Sequence, residues 1–148
     1  MNQFVPPPYP RPLALGLFEH EGRILVFEGR DPRRDLVFYR PLGGGIEFGE
    51  HSTEALVREI REELALEAET LGLVGVLENR FVHVGNAGHE IVFVHRARFL
   101  DPAAYNGDIP FAETQFTSHA IWVPVSEFLS GQRVLFPDGL VELLPALR

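Results

Sequence analysis

The chain has no cysteine, which excludes a disulfide framework, a thiolate zinc site and a cysteine nucleophile together. Any catalysis falls to carboxylates, imidazoles or hydroxyls. No apolar stretch approaches the ~18 residues that a membrane-spanning helix needs. The Met1 end also lacks the basic and apolar regions of an export signal, so a cytoplasmic protein with no membrane contact is expected. Basic residues are scarce: 13 Lys and Arg against 21 Asp and Glu leave a formal charge of −8. Such a balance disfavours binding along an extended nucleic-acid backbone, although a small anionic substrate is acceptable where cations screen its site. No serine sits in a Gly-x-Ser-x-Gly elbow, so the simplest serine-hydrolase signature is missing too.

What is present points to one domain. At 148 residues, with 45% hydrophobic content and twelve Phe, the chain can bury a sizeable core but not two comfortable ones. Residues 1–12 carry five prolines and read as an extended arm, because proline cannot donate to a ladder. Residues 13–148 then form the domain. Leu13–Phe18 and Arg23–Glu28 are strand-like about a turn at Glu19–Gly22, and Leu36–Tyr39 is a short strand leading into a glycine loop. Leu71–Val84 and His89–Leu100 read as a long hairpin split by Gly85-Asn86-Ala87-Gly88. Asp101–Ser118 reads as an irregular loop, Ala120–Val125 as a strand, Ser126–Ser130 as a short helix and Gly139–Leu147 as a closing helix. Strands in this number around one long amphipathic helix predict an α+β sandwich, a mixed sheet packed between helices.

The segment Gly43–Leu66 carries the chemistry. Ser52 is suited to cap a helix that runs to about Leu64, with Glu54 favourable in its first turn. At 100° per residue, Glu59, Glu62 and Glu63 share one arc with Ala55, while Leu56, Val57, Ile60 and Leu64 fall on the next. Carboxylates this close repel one another unless cations neutralise them, and hard oxygen donors select Mg²⁺ or Mn²⁺. Gly43, Gly44 and Gly45 can bring backbone groups close to a metal or a phosphate. A plain surface helix with i,i+4 pairs among Glu54, Arg58 and Glu62 is the simpler alternative.

Spacing decides against it. Gly44, five residues, Glu50, seven residues, and then Arg58-Glu59-Ile60-Arg61-Glu62-Glu63 resembles the Nudix signature G-x5-E-x7-R-E-U-x-E-E-x-G-U, where U is bulky and apolar. Six charged and glycine positions agree, which chance would produce in about 10⁻⁷ of windows at average residue usage. Ala65 stands where the family has its last glycine, a residue that serves the helix terminus, and Leu42 stands where many relatives have proline.

The resemblance implies a Nudix-like α/β/α sandwich and a pyrophosphohydrolase acting on a small nucleoside diphosphate derivative. It implies that Glu59, Glu62 and Glu63, with a carbonyl of Gly43 or Gly44, hold Mg²⁺ or Mn²⁺, and that Glu50 pairs with Arg58 to fix the loop on the helix. Glu59 is one candidate for the base that deprotonates water. Glu113 is another, because many family members place an extra carboxylate in the corresponding loop. Arg40, Phe48, Phe81 and Glu90 are candidate substrate contacts, the arginine through its planar fork and the rings by stacking on a base. For the pair His89 and Glu90, a solvent-facing position is the plainer expectation. Gln115, Thr117 and His119 share the loop with Glu113.

Substrate identity stays open. Between Leu66 and Arg98 the chain has neither the proline nor the tyrosine that marks some substrate classes in the family. ADP-ribose-like nucleotide sugars and nucleoside triphosphates are therefore level, and a homodimer is compatible with either. The competing class is a regulatory domain of Nudix fold that binds a nucleotide metabolite without turnover. Such domains typically lose signature glutamates, and this chain keeps all four. Isomerase chemistry on a prenyl diphosphate would call for the cysteine that is missing.

Overall fold

Leu13, Leu15 and Leu17 alternate with Ala14 and Phe18, and all five are buried because they belong to two different cores on opposite sides of one strand. A continuous apolar run of this kind is what a strand covered on both faces requires. The strand is β1 (Arg11–His20) in a computed structural model that describes residues 4–112 and 119–147. The other strands are β2 (Arg23–Asp31), β3 (Leu36–Gly45), β4 (Ala68–His83), β5 (Asn86–Phe99), β6 (Ile109–Pro110) and β7 (His119–Pro124). The helices are α1 (Ser52–Leu64) and α2 (Val125–Leu129), with 3-10 turns at Pro102–Tyr105 and Val141–Leu147.

The strands lie in the order β4-β5-β1-β3-β2-β7-β6. β1 runs parallel to β5, and the remaining neighbours are antiparallel. α1 packs Ala55, Leu56, Ile60 and Leu64 into one core with Phe18, Leu42 and Phe99, whose Phe18 and Phe99 rings stack at 4.2 Å between centroids. Phe128 of α2 joins Leu135, Leu140 and Leu144 in the other core. This is the expected mixed sheet between helical layers. Truncating Leu56 or Ile60 to Ala would cost about 2–5 kcal/mol, since each is fully buried.

β3 positions the site because it changes partner along its length. Leu36 to Pro41 pair with β2, and Leu42 to Gly45 pair with Leu13 to Gly16 of β1. The three glycines are thus the end of a strand and not a loop. Their backbone groups are held by the ladder, and the loop proper is the short run from Ile46 to His51. Similarly, the β4–β5 hairpin turns at Val84 and Gly85 alone, both at positive φ, rather than over residues 85–88. The buried Asp31 carboxylate accepts from the Val84 and Arg33 N–H groups, which ties this hairpin tip to the end of β2. Those N–H donors hold its carboxyl below the usual carboxylate value.

Two further expectations change. The stretch after Asp101 carries a 3-10 turn and β6 in place of an unbroken irregular loop, and the closing helix is a 3-10 turn that begins at Val141. β1 takes in Arg11 and Pro12 of the arm, paired beside Glu90 and Ile91. No helix among the described residues is long and apolar enough to cross a membrane.

Candidate functional site

α1 begins one residue earlier than its serine suggests. His51 is the N-cap, in extended conformation, and its N–H donates to the Glu54 carboxylate at 3.0 Å, half of a capping box. Ser52 is freed for another partner: its Oγ lies 2.8 Å from Nε2 of His95, a residue of β5 that is only 4% exposed. Burial pushes the His95 ring pKa down, so the ring is neutral at pH 7, and its Nδ1 is buried without a hydrogen-bond partner among the described residues. At the far end Ala65 takes the left-handed conformation, φ 56°, and its N–H donates to the Arg61 carbonyl at 2.9 Å. The helix therefore ends as a glycine would end it, at a steric cost of about 1 kcal/mol for a residue with a Cβ.

Arg58 is the centre of the charged face. Its Nε and one terminal nitrogen grip both oxygens of Glu50 at 2.8 and 3.0 Å in a bidentate fork. The nitrogen that completes this fork also donates to the Gly45 carbonyl at 2.9 Å. The other terminal nitrogen donates to Glu59 at 3.0 Å and lies 3.3 Å from Glu62 and 3.8 Å from Glu47. One guanidinium thus joins the end of β3, the loop and the helix. The Glu50 carboxyl is held below its ordinary value, first by the Arg58 hydrogen bonds and then by the Glu47 N–H, while Arg58 is pushed up.

Gly43 and Gly44 are needed for different reasons. Gly43 sits at φ 146°, and a Cβ there would fall 2.0 Å from the backbone oxygen of Ala14 in β1. A Cβ on Gly44 would instead fall 2.4 Å from the carboxyl carbon of Glu59. The Glu59 carboxylate therefore rests directly on bare backbone, in a space that any side chain would fill.

Among the described residues no three carboxylates or imidazoles converge as a formed cation centre; Glu59 and Glu62 are drawn to Arg58. The residues nonetheless fit a hard divalent cation. Glu59, Glu62 and Glu63 are hard oxygen donors on one arc of α1, and bare backbone at Gly44 leaves room for the Glu59 carboxylate against the end of β3.

A cavity of about 910 Å³ lies elsewhere, lined by no residue of α1. Arg40, Phe81 and Glu90 lie on its wall, together with Phe38, Asn79 and His89. A chain of contacts joins it to the helix. Glu90, 2% exposed, is bonded by Arg40 at 3.3 Å and paired with Arg11 at 3.8 Å. Arg11 in turn lies 3.2 Å from where a Cβ of Gly45 would be, and Gly45 carries the carbonyl that Arg58 holds. The plain expectation for Glu90, exposure to solvent, is overturned, because two arginines neutralise it inside the protein.

Phe48 is not part of this wall; it is fully exposed on the loop before α1. Glu113, Gln115 and Thr117 lie outside the described residues, and His119 is an exposed residue at the start of β7. Sequence reasoning missed Arg11 and His95. Nothing local marks Arg11, which acquires its role from lying beside Glu90 across a parallel pair. For His95 a signal existed: the period-two pattern of β5 sets it apart from the buried Val92 and Val94, on the face where Ala97 and Phe99 join the α1 core.

A family model for the NUDIX domain matches residues 8–145. Among curated proteins the chain is 28% identical over 118 residues to MutT4 of Mycobacterium tuberculosis (strain CDC 1551 / Oshkosh), covering 80% of this chain and 44% of that protein. It thus spans less than half the length of this relative. Among solved structures it resembles a NUDIX hydrolase from Nitrosomonas europaea, with TM-score 0.65, 18% identity and coverage of 94% of this chain and 88% of that one. It also resembles the E. coli ORF135 protein, with TM-score 0.61, 24% identity and coverage of 93% and 88%. At these identities the structural likeness speaks for the fold.

Proposed function

We propose that this chain, which belongs to the Nudix family, is a metal-dependent pyrophosphohydrolase that cleaves the diphosphate linkage of a nucleoside diphosphate derivative. The observation that carries this is the Glu59 carboxylate resting on Gly44 while Arg58 clamps it to Glu50 and Gly45. A carboxylate so held, with Glu62 and Glu63 on the same helix face, is a site for screened anionic chemistry rather than a solvated surface. The Nitrosomonas relative's designation as a hydrolase agrees with it.

Water supplies the oxygen that forms the new bond to phosphorus. The anhydride P–O bond breaks, its electron pair leaves with the departing phosphate, and the proton passes to a carboxylate and on to solvent. Mg²⁺ or Mn²⁺ held by Glu59, Glu62 and Glu63 with a carbonyl of Gly43 or Gly44 would supply the positive charge that substrate and carboxylates both need. Arg58 keeps Glu59 oriented and Glu50 fixes Arg58, a supporting role without contact to the reacting atoms. Arg40 presents a guanidinium on the cavity wall, where substrate phosphate can share it with Glu90. The remainder of the substrate, the nucleoside or its partner group, occupies the cavity of about 910 Å³, a size suited to such a ligand.

The base is Glu59 or Glu113. Support for the second comes from its neighbour: the Ala112 N–H donates to the Glu63 carbonyl at 2.7 Å, which holds the chain just before Glu113 against the end of the carboxylate helix. A loss in kcat from Glu113→Gln with metal affinity intact selects Glu113, and an unchanged kcat returns the role to Glu59.

The test is a panel of nucleotide sugars, ADP-ribose, dinucleoside polyphosphates and nucleoside triphosphates, each with Mg²⁺ and Mn²⁺, followed by release of nucleoside monophosphate or phosphate. Turnover abolished by excess chelator is the expected result. Binding without turnover across the panel would favour the regulatory-domain alternative, and turnover untouched by chelator would remove the metal from the account.

A further inference from the structure

We propose that the proline-rich arm is the specificity element of the cavity, with the Tyr9 ring stacking on the base of the bound nucleotide. This rests on the preceding assignment of the cavity to the substrate. It adds a recognition surface that lies outside the signature segment and ahead of β1.

Pro7, Pro8, Tyr9 and Pro10 all line the cavity. The arm is anchored on both sides of them. Pro6 is buried, and the Arg11 guanidinium lies over the Phe4 ring at 5.5 Å while it reaches Glu90 on the other side. From Arg11 onward the chain is locked into β1. Between these anchors the chain bends at Pro8 and Tyr9, and the prolines have no N–H to offer a neighbouring strand, so the segment can border a cavity without adding to the sheet. Such a wall loses little conformational entropy when a ligand arrives, which favours affinity.

Tyr9 is the exception within that wall. It is 64% exposed, yet it faces a concavity, and among the described residues it makes no ring contact, hydrogen bond or ion pair. A tyrosine in the core or at a structural contact would have one. Elsewhere on the same cavity the Phe81 ring lies across Gly88, where a Cβ would come within 2.3 Å of it, so this ring is already committed to the hairpin. Arg34, Arg40 and Arg80 add positive charge around the wall. An aromatic face without a partner beside cationic side chains is the chemistry that receives a base and its phosphates.

The test separates recognition from catalysis by using adenosine, guanosine, uridine and cytidine 5′-monophosphates, which contain no anhydride to cleave. Their affinities are measured by calorimetry for the wild type, Tyr9→Ala and Tyr9→Phe, with circular dichroism as a check on folding. Tyr9→Ala should weaken the best-bound monophosphate about tenfold, as loss of one base–aromatic stack does, and Tyr9→Phe should stay within about twofold. In turnover assays Tyr9→Ala should raise KM by a similar factor with kcat within about twofold. A Pro7→Gly, Pro8→Gly double variant should fall between wild type and Tyr9→Ala, because it loosens the wall and keeps the ring.

Equal monophosphate affinity for wild type and Tyr9→Ala would overturn the proposal, as would a wild type that binds none of the four. Turnover by the wild type alongside an indifferent Tyr9→Ala would refute the arm alone. Tyr9-dependent binding without any turnover would refute the hydrolase assignment and leave the arm's role in recognition standing.

Discussion

The carboxylate end of the molecule and its cavity are built on opposite plans. The carboxylate end is a contiguous clamp: Arg58 reaches Glu47, Glu50, Glu59, Glu62 and Gly45, all within a short stretch of chain, and every contact is ionic or a backbone hydrogen bond. The cavity is assembled from distant pieces, the arm, β3, the β4–β5 hairpin and the segment around Phe136 and Asp138, with aromatic and proline surface between its charges. In the first region, moving one group disturbs all the others. In the second, a wall residue can change while the rest remain. The difference matches the division of labour in the proposed function, in which the clamp would set the chemistry and the cavity what is brought to it.

The sharpest way to break that comparison lies within two adjacent glycines. Gly43→Ala places its methyl against the Ala14 backbone, which cannot move without disturbing β1, and should destabilise the fold by about 3 kcal/mol or more in urea denaturation. Gly44→Ala places its methyl against the flexible end of Glu59. It should leave the urea midpoint close to wild type while turnover falls about tenfold or more, because Glu59 is displaced. Similar losses of stability in both variants would mean that Gly44 is only a packing position.

The clamp should also respond to acid. Arg58 holds the Glu50 carboxyl below its ordinary 4.5, so the folded state favours the charged form. The stabilisation is then fully present above the unfolded value and disappears as pH falls through the lower folded value. Unfolding free energies of wild type and Glu50→Gln should differ by a constant amount from neutrality down to about pH 5 and converge in stronger acid. A difference that persists at pH 2 would show that the pair acts by shape rather than charge.

The smallest expected effect is at the helix terminus. Ala65→Gly relieves the left-handed strain at φ 56° and should raise stability by about 0.5–1 kcal/mol, with kcat unchanged. No gain in the urea midpoint would mean that the surrounding chain, not the residue, sets this conformation.

The clamp was largely legible from residue order, and the cavity was not. Helix limits followed from periodicity and end signals, and the Glu50–Arg58 pair, eight residues apart, was implied by the resemblance to the Nudix signature. His51 displaced Ser52 as the cap because Glu54 reaches back to the His51 N–H, while the serine hydroxyl is claimed by His95 from a strand far along the chain. The glycines read as a loop because composition alone cannot tell a bare turn from a paired strand end that must pass close to Ala14 and Glu59. Arg11, Arg40 and Glu90 meet only through the parallel β1–β5 pair and the partner change of β3, which no local pattern encodes. Phe48 looked like a stacking ring by type, and its exposed place on the loop removes it from the cavity wall.

The central claim, that the carboxylate face of α1 carries the hydrolysis, is tested most directly by Glu63→Gln, which keeps the side chain's shape and removes one donor charge. Steady-state turnover on the best diphosphate substrate with Mg²⁺ should fall by at least about 100-fold, with the circular dichroism spectrum and urea midpoint close to wild type. Wild-type turnover from a correctly folded Glu63→Gln protein would contradict the account.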